Sequence, residues 1–317
     1  MLRVDHLAKF FDAQEHLIAR SRANVKAVDD ISFSVSKGSV FGLVGESGCG
    51  KSTTARLILK LLNPTAGKVY FDGKDVYGLK PGELQKMRRD IQMIFQDPYS
   101  SLNPRWRIGQ ILTEPLDTHN IGTRDERRQK VKQILETVGL RDEDTQKYAH
   151  EFSGGQRQRI GIARALITNP KFVICDEPIS ALDVSIQAQI INLLKELQLK
   201  FQLTYLFITH DLRVVRFLCD NVGVMYLGKI VEVGSTKAIF ANPHHPYSQA
   251  LFSAIPHPDP FTEKEELTIE GDVPSPLNPP SGCRFHTRCP FVMDICSQEE
   301  PLLKSVGEDH QCACHLY

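Results

Sequence analysis

Hydrophobic and polar positions alternate near the start of the chain, as they do in half-buried strands. The alternation covers residues 2–4 and returns at 31–35, ISFSV. A continuous apolar run at 38–45 then leads directly into a glycine-rich loop, which predicts a buried strand. Residues 51–62 have helical periodicity up to the Asn-Pro pair that follows, so we predict a helix that stops there.

The same alternation of strand and helix continues along the chain. We predict a strand and a turn around an Asp-Gly pair at 68–76, and a strand at 91–96. Two further apolar runs of strand length occupy 171–178 and 203–211, and a helical pattern at 185–201 lies between them. Apolar strands that alternate with helices are typical of a parallel sheet covered on both faces, so the predicted class is α/β.

Two regions depart from this pattern. From about 107 to 150 the sequence is helical and more polar, which predicts an inserted helical lobe. From 241 onward it becomes proline-rich, which predicts a linker and a small appended C-terminal region.

Composition limits the classes of function. The chain has 317 residues, 41% hydrophobic and 24% charged, which is enough for a sizeable core and about two units. Lys plus Arg and Asp plus Glu both number 38, whereas a nucleic-acid binder more often has a strongly positive face. The first residues lack the apolar core of a signal peptide, and no stretch approaches about 18 apolar residues. We therefore expect a soluble, cytosolic chain that can dock on a membrane protein.

The loop GESGCGKS at 45–52 fits the pattern G-x-x-x-x-G-K-[ST], with a predicted strand before it and a helix after it. Its glycines let backbone N–H groups surround phosphate oxygens, and the helix N-terminus adds its dipole. Lys51 supplies charge for the terminal phosphates, and the Ser52 hydroxyl can bind Mg²⁺. A tight strand–helix turn would explain the glycines but not Lys51 and Ser52. The predicted nucleotide-binding residues here are Gly45, Glu46, Ser47, Gly48, Cys49, Gly50, Lys51, Ser52 and Thr53.

Two carboxylates follow the apolar run FVIC. Asp176 and Glu177 come at the carboxyl end of a predicted strand, where open α/β sheets bind ligands. Asp176 suits a second Mg²⁺ contact, and Glu177 suits a base or orienter for an attacking water. Two carboxylates can also end a strand for structural reasons alone, but the phosphate loop upstream favours the catalytic interpretation.

A second anion-binding pattern begins a hundred residues after the first, in EFSGGQRQRIGIARAL at 151–166. Ser153 can cap the helix, and Gly154 and Gly155 leave backbone N–H groups open to a close-approaching oxygen. One chain thus carries two phosphate-binding patterns.

Taken together and in order, these motifs resemble those of the ATP-binding subunits of ABC transporters, over roughly residues 1–260. The loop at 45–52 resembles the Walker A loop, FVICDE the Walker B strand, and FSGGQ at 152–156 the signature motif. Phe152 stands where the widespread signature has leucine, a position that we expect to serve packing.

Three signals that are weak singly gain weight from this resemblance. Gln96 in FQDP resembles the Q-loop glutamine, SALD at 180–183 the D-loop, and His210 the switch histidine. Phe11 falls where such proteins place a ring under the adenine, although Phe10 could serve as well.

The resemblance implies a P-loop ATPase fold within residues 1–240. It has a RecA-like parallel-sheet core, an N-terminal antiparallel β-subdomain and an inserted helical subdomain at about 97–160. The implied catalytic residues are Glu177, His210 and Gln96, and the implied Mg²⁺ ligands are Ser52, Gln96 and Asp176.

Family members work as head-to-tail dimers, which explains the second pattern. The signature of one subunit, here Ser153, Gly154, Gly155 and Gln156, would close over ATP held in the Walker loop of the other subunit. ATP then draws the two halves together because it binds the closed dimer better than the open one, and hydrolysis releases them.

Within this family, the stretches at 27–33, 93–105 and 245–256 resemble the ATPases of oligopeptide/dipeptide importers. The long segment at 12–26 resembles the shorter of their two paired ATPases, and 241–317 resembles their C-terminal extension. The implied partners are a second ATPase subunit (a paralogue or a second copy), two transmembrane permease subunits and, indirectly, an extracytoplasmic binding protein. The implied location is the cytoplasmic face of the bacterial inner membrane, as a peripheral protein. Nickel and glutathione are alternative cargoes, because similar systems carry them.

Five of the eight cysteines fall in the last 35 residues, a clustering that in a cytosolic chain indicates metal or redox chemistry. By resemblance to relatives with a [4Fe–4S] cluster, the ligands would be Cys283, Cys289, Cys296 and Cys314. Cys312 would be the extra residue. Zinc and unligated thiols stay open as alternatives, although zinc sites usually contain tight C-x₂₋₄-C pairs. The remaining three, Cys49, Cys175 and Cys219, are expected to be small core or loop residues.

Two other functions compete with an importer ATPase. A soluble ABC protein in translation or DNA repair would usually carry two cassettes or an inserted coiled coil, and neither is present. A regulatory or redox-sensing module would use an iron–sulfur or zinc site to gate a partner, and would predict weak hydrolysis. Against it, the residues predicted for hydrolysis are all intact.

Overall fold

The computed structural model describes residues 1–12, 24–254, 269 and 271–317. It divides the chain into two compact units. The first comprises Met1–Val35, Phe41–Tyr77 and Thr209–Tyr317, and the second comprises Ser36–Val40 and Gly78–Ile208. The segment predicted at 12–26 and the proline-rich stretch after residue 254 lie largely outside the described residues.

The described strands are, in chain order, β1 (Leu2–Asp12), β2 (Asn24–Val35), β3 (Val40–Val44), β4 (Ala66–Phe71), β5 (Lys74–Asp75), β6 (Ile91–Ile94), β7 (Phe172–Asp176), β8 (Thr204–Ile208), β9 (Asn221–Tyr226), β10 (Lys229–Ser235), β11 (Lys304–Gly307) and β12 (His310–Cys312).

The described α-helices are α1 (Lys51–Ile58), α2 (Pro81–Asp90), α3 (Ile108–Thr118), α4 (Arg124–Thr137), α5 (Gly154–Leu166), α6 (Val184–Phe201), α7 (Leu212–Leu218), α8 (Thr236–Ala241) and α9 (Pro246–Ser253). Short 3₁₀ helices occupy Asp142–Gln146, Ala149–Glu151, His286–Arg288 and Asp294–Ser297.

The first unit contains an antiparallel sheet in the order β2-β1-β4-β5. Leu2 and Val4 of β1 are buried and Arg3 between them is exposed, as the alternation predicted. The turn between β4 and β5 has positive φ at both Asp72 (47°) and Gly73 (79°). This is the conformation that Asp-Gly pairs favour in tight hairpins, so the β4–β5 turn follows from local sequence.

The first unit also contains strands in the order β11-β12-β10-β9-β3, of which β3 and β9 pair in parallel. All five residues of β3 are buried, which explains the absence of polar alternation there. A Cβ at Gly42 would lie 3.0 Å from the Cys219 sulfur and 3.2 Å from Val215 Cγ1. Glycine therefore lets α7 pack closely on this strand, and Cys219 is a buried core residue, as expected.

The C-terminal extension continues this sheet. In the β10–β12 pair, Glu232 lies opposite Cys312. The fully buried Glu232 carboxylate accepts hydrogen bonds from His310 Nε2 (2.7 Å) and from the backbone N–H groups of His244 (2.7 Å) and His245 (3.1 Å). A buried carboxylate needs such donors, so these bonds tie both ends of the extension to β10. The boundary at residue 240 stays a prediction.

The second unit is built on three parallel strands in the order β8-β7-β6. Every residue of β7 and β8 is buried, as predicted from their unbroken apolar runs. The helix predicted at 185–201 is α6, and the strands and helices alternate along the chain. The α/β class is thereby confirmed.

The polar stretch predicted at about 107 to 150 is helical, from α3 to the 3₁₀ helix Ala149–Glu151. Thr123 caps the N-terminus of α4 with a capping box. The Thr123 hydroxyl accepts a hydrogen bond from the Glu126 N–H, and the Thr123 N–H donates to the Glu126 carboxylate at 2.6 Å. A groove of about 1150 Å³ opens among α3, α4 and the 3₁₀ helix Asp142–Gln146. Residues that line it include Trp106, Gln110, Glu114, Asp117, Arg124 and Arg128.

Candidate functional site

The glycine-rich loop of the first unit runs from β3 to α1, in the predicted strand–loop–helix context. Gly45, Gly48 and Gly50 have φ values of 150°, 78° and 109°. A Cβ at Gly45 would lie 2.0 Å from the Met225 carbonyl oxygen, and one at Gly50 would lie 2.0 Å from that of Ala27. Both the backbone conformation and the lack of space therefore require glycine.

Lys51 lies inside this loop. Its side chain is buried, and the ammonium donates hydrogen bonds to the carbonyl oxygens of Gly45 (2.8 Å) and Glu46 (2.9 Å). The N-cap of α1 is Gly50, which has no side chain to occupy the first-turn N–H groups. A buried cation beside an uncapped helix N-terminus suits the binding of a phosphate.

The other members of the loop have different surroundings. Ser47 and Gly48 are exposed, while Ser52 and Thr53, in the first turn of α1, are half-buried. Cys49 is buried, and burial raises the pKa of its thiol. Its carbonyl oxygen accepts a hydrogen bond from the Gly228 N–H at 2.9 Å, which anchors the loop. The part of Cys49 in nucleotide binding stays a prediction.

Phe11 and His210 also belong to the first unit. Phe11 lies near the end of β1, 36% exposed, with the Lys9 ammonium 5.0 Å from its ring centroid. The alternative ring, Phe10, is half-buried. His210 is exposed just before α7, between Thr209 and the N-cap residue Asp211, whose N–H donates to the Thr209 hydroxyl at 3.0 Å.

The second unit brings two predicted residues together across 81 positions of sequence. The side-chain amide of Gln96 donates to the Glu177 carboxylate at 3.1 Å. Glu177 follows the last residue of β7 and has a φ of 44°, which is uncommon for a residue with a side chain. Its N–H donates to the Ile208 carbonyl oxygen at 2.9 Å, at the end of β8. Strained backbone of this kind persists where neighbouring bonds hold it in place.

Asp176, the last residue of β7, is 5% exposed. Burial makes a carboxylate a strong ligand for a cation that reaches it, because little water competes. Asp176 and Glu177 therefore differ in environment, one buried at the strand end and the other on the turn that follows.

The signature segment starts α5. Ser153 is its N-cap, with its hydroxyl accepting from the Gln156 N–H (3.3 Å) and its own N–H donating to Gln156 Oε1 (3.0 Å). This capping box leaves the N–H groups of Gly154 and Gly155 as the donors for an anion. A Cβ at Gly155 would lie 2.5 Å from Ile186 Cγ2, so this glycine also allows close packing on α6. Phe152 is buried, which agrees with a packing role.

The predicted site draws residues from both units. The first holds Phe11, His210 and the phosphate loop. The second holds Gln96, Asp176, Glu177 and the signature residues. Their assembly around one nucleotide stays a prediction.

Sequence reasoning missed a set of contacts on the phosphate loop. The Glu46 N–H donates to the Tyr247 hydroxyl at 3.0 Å, and the Arg288 guanidinium contacts both carboxylate oxygens of Glu46 at 3.2 Å. Arg288 stands next to Cys289, in a stretch where the cysteines are the recognisable pattern. The sequence signals for this contact were an acid in the phosphate loop, Glu46, and an arginine in the extension, Arg288. Their separation of 242 residues gave no reason to pair them.

The cysteines of the extension lie in one region. The Cys283 N–H donates to the Cys296 carbonyl oxygen at 2.8 Å. Burial raises the pKa of Cys283 to about 11, and the nearby thiols of Cys296, Cys314 and Cys289 add to the rise. Cys312 is fully buried on β12, and burial raises its pKa too.

Backbone N–H groups oppose that rise at three of the four predicted ligands. The N–H of Phe285 lowers the pKa of Cys283, that of Phe291 lowers the pKa of Cys289, and that of Leu316 lowers the pKa of Cys314. Such donors stabilise a thiolate, the form that binds a metal. In the described part of the chain, no three of the cysteine sulfurs lie within 4.8 Å of one another.

Comparisons with known proteins show the family of the chain. The family model described as ABC transporter matches residues 28–180, and the model described as oligopeptide/dipeptide transporter, C-terminal region, matches 231–296. The chain is 51% identical over 320 residues to the oligopeptide transport ATP-binding protein AppF of Bacillus subtilis, covering 100% of this chain and 97% of that protein.

Solved structures give the same result for the fold. The ATP-binding cassette MJ0796, in a dimeric post-hydrolysis state bound to ADP and Pi, has a TM-score of 0.66 and 30% identity. The match covers 74% of this chain and 99% of the MJ0796 chain. CbiO1 of Clostridium perfringens, part of the ABC transporter complex cbiONQ, has a TM-score of 0.64 and 30% identity. This match covers 76% of this chain and 90% of the cbiO1 chain. Within the described residues, none of the helices has the length and apolar character needed to cross a bilayer.

Proposed function

The chain belongs to the ABC transporter family of ATPases, and on that premise we propose that it hydrolyses Mg-ATP to drive import of dipeptides or oligopeptides. The observation that carries the cargo class is the C-terminal region, which matches the oligopeptide/dipeptide transporter model at 231–296. The full-length similarity to an oligopeptide transport ATP-binding protein supports the same conclusion.

In this proposal the phosphate loop binds the nucleotide. Lys51 exchanges its bonds to the Gly45 and Glu46 carbonyl oxygens for bonds to the terminal phosphates. The uncapped N-terminus of α1 and the N–H groups of the loop satisfy the remaining phosphate oxygens. Phe11 is exposed enough to stack on the adenine.

The candidate Mg²⁺ ligands are oxygen donors of the kind that this ion prefers: the Ser52 hydroxyl, the Gln96 side-chain carbonyl and the Asp176 carboxylate. Gln96 uses its amide nitrogen to bind Glu177, which leaves the carbonyl oxygen as the end able to bind a cation. When bound, Mg²⁺ neutralises charge that develops on the phosphates.

Glu177 acts on the attacking water. Its carboxylate orients the water and accepts its proton as the oxygen attacks the γ-phosphorus and the bond to ADP breaks. The Gln96 amide, 3.1 Å from that carboxylate, holds it in one orientation. His210, at the start of the α7 segment, would contact the γ-phosphate and stabilise the charge that it gains.

A second ATPase subunit completes the site. The exposed Ser153 and the N–H groups of Gly154 and Gly155 would close over the γ-phosphate bound to the partner, with Gln156 fixing the cap. The dimeric form of the similar cassette MJ0796 supports this arrangement.

Two permease subunits are the proposed membrane partners, which would place the chain at the cytoplasmic face of the bacterial inner membrane. The groove of the helical region supports a docking role, because it is wide and lies within the lobe that would contact the permeases. Two exposed aromatic side chains of the same unit, Trp106 at the groove and Tyr99, favour binding of another protein surface.

Co-purification and stimulated hydrolysis test this function. We expect the tagged chain to retain two membrane subunits, and its ATPase rate in vesicles to rise when the binding protein is loaded with peptide. Stimulation by nickel or glutathione instead of peptide would change the cargo. A chain that retains no membrane subunit and responds to no cargo would contradict the importer assignment.

We further propose a [4Fe–4S] cluster on Cys283, Cys289, Cys296 and Cys314. One zinc ion holds four thiolate sulfurs about 3.8 Å apart, from Zn–S bonds of about 2.3 Å. A cube instead takes one thiolate on each of four separate irons, which these four cysteines can supply. The backbone N–H groups of Phe285, Phe291 and Leu316 lower the pKa of three of these thiols, which favours the thiolate form that binds iron. When bound, the cluster would supply one-electron redox chemistry.

Metal analysis after anaerobic purification tests the cluster. We expect about four irons per chain and a broad absorption band near 400 nm. Cys289→Ser should lose the iron, while Cys312→Ser, which removes a thiol outside the proposed ligand set, should retain it. Stoichiometric zinc would make the region a structural zinc site, and a metal-free chain would remove the cofactor from the proposal.

A further inference from the structure

The phosphate loop contains an acid that its task does not call for. Glu46 lies between Gly45 and Ser47, within the loop proposed to hold a polyanion. Its side chain is 27% exposed, so water screens its charge only in part. An unbalanced carboxylate in this position would repel the phosphates that the loop must bind.

Arg288 balances that charge from the C-terminal extension, 242 residues away in sequence. One guanidinium nitrogen, Nη1, lies 3.2 Å from each Glu46 carboxylate oxygen and 3.3 Å from the Tyr226 hydroxyl. The Arg288 side chain is only 10% exposed. A charge buried this far is retained only beside groups that compensate it, so the two ions stabilise each other.

The backbone of Glu46 is held by the same region. Its N–H donates to the Tyr247 hydroxyl at 3.0 Å. The Tyr247 ring packs on Tyr226, with centroids 4.7 Å apart, and both rings contact Phe285 of the extension, at 5.5 Å and 5.3 Å. The start of the loop therefore rests on an aromatic cluster to which the extension contributes.

A second arginine joins the extension to the chain behind the loop. Arg284 is buried and bonds to the Leu227 carbonyl oxygen and to the Asp29 carboxylate. Gly228, which follows Leu227, donates its N–H to the Cys49 carbonyl oxygen in the loop at 2.9 Å. The short stretch 284–288 thus contacts the loop directly through Arg288, and Arg284 holds Leu227, whose neighbour Gly228 bonds to the loop.

The geometry points to Arg288 as a positioning residue of the phosphate loop: it neutralises Glu46, turns its carboxylate aside and thereby permits tight binding of ATP. The C-terminal extension is then part of the nucleotide site and not only an appendage. This inference rests on the proposed function in one respect, that the loop at 45–52 binds the phosphates.

A double-mutant cycle that removes the two charges, made on the full chain, tests it. Arg288→Met keeps most of the side-chain volume and removes the charge, and we expect it to raise the Kd for the β,γ-imido analogue of ATP about tenfold. Adding Glu46→Gln should bring the Kd of the double variant back toward that of the wild type, because the repelling carboxylate is then gone. A merely structural role for Arg288 would give no such relief. Lys304→Ala removes an exposed cation from the same extension and should change the Kd less than about twofold.

Two outcomes would overturn the inference: an Arg288→Met variant that binds as tightly as Lys304→Ala, or a weakened variant that Glu46→Gln does not relieve. If Arg288→Met does not fold, Arg288→Lys takes its place. It is expected to weaken binding less, again with relief by Glu46→Gln, and wild-type affinity would count against the inference. Lys51→Ala distinguishes a failure of the phosphate-loop assignment from a failure of the role of Arg288. If Lys51→Ala also leaves the Kd unchanged, the loop does not bind the phosphates.

Discussion

Replacing Glu177 with glutamine is expected to reduce ATP hydrolysis by about 100-fold or more while ATP binding is retained. Glutamine has the same shape, and its oxygen can still accept the hydrogen bond that Gln96 donates at 3.1 Å. It cannot accept a proton from the attacking water. The variant should therefore bind ATP and accumulate in the closed dimer, because the step that releases the dimer is blocked.

Phosphate release in a single turnover, together with the size of the ATP-bound species, measures both effects. Glu196→Gln is the matched control, since it makes the same chemical change at an exposed position of α6 and should hydrolyse at the wild-type rate. Gln96→Ala should lower the rate less than Glu177→Gln, because it loosens the carboxylate and removes one of three candidate Mg²⁺ ligands but leaves the base. Wild-type hydrolysis by Glu177→Gln would show that another group accepts the proton.

Replacing Lys51 with alanine is expected to weaken ATP binding itself, by about 100-fold. The variant loses one buried positive charge and the charge-assisted bonds that this ammonium would make to the terminal phosphates. Such bonds contribute about 1.5–3 kcal/mol each, and 1.4 kcal/mol corresponds to a tenfold change in Kd. Hydrolysis should fall with binding, whereas Glu177→Gln separates the two.

Equilibrium titration with the imido analogue checks this prediction, and thermal unfolding shows whether the loop survives. The second measurement is needed because the ammonium also bonds to the carbonyl oxygens of Gly45 and Glu46, and its removal costs some stability. Lys68→Ala, at an exposed position of β4, is the control for loss of a lysine from the first unit. A Kd for Lys51→Ala within about twofold of the wild type would contradict the assignment of the loop.

Local sequence was a good guide where the cause of the structure is itself local. The Asp-Gly pair predicted the turn between β4 and β5, because both residues tolerate positive φ. The helix predicted at 51–62 was right at its start but wrong at its end, since α1 stops at Ile58. There Lys60 has a φ of 51° and the N–H of Leu61 bonds back to the Arg56 carbonyl oxygen, which closes the helix before the Asn-Pro pair.

The C-terminal region illustrates the opposite case. Its composition predicted a linker and a small appended part, whereas β11 and β12 extend the sheet that contains β10. Strands of three or four residues carry too little pattern to be recognised alone, and an edge position beside an existing strand is a property of the whole sheet.

The family resemblance, the α/β class and the chemical groups available for phosphate binding can all be read from the amino-acid sequence, because each depends on residues that are neighbours in the chain. Which distant groups meet depends on the folded chain: Gln96 with Glu177, and Arg288 with Glu46. These pairs form where separate strands and loops end at the same place, and the energy of a charged contact depends on that proximity and burial. A pattern of residue types along the chain gives neither the distance between two such groups nor their burial.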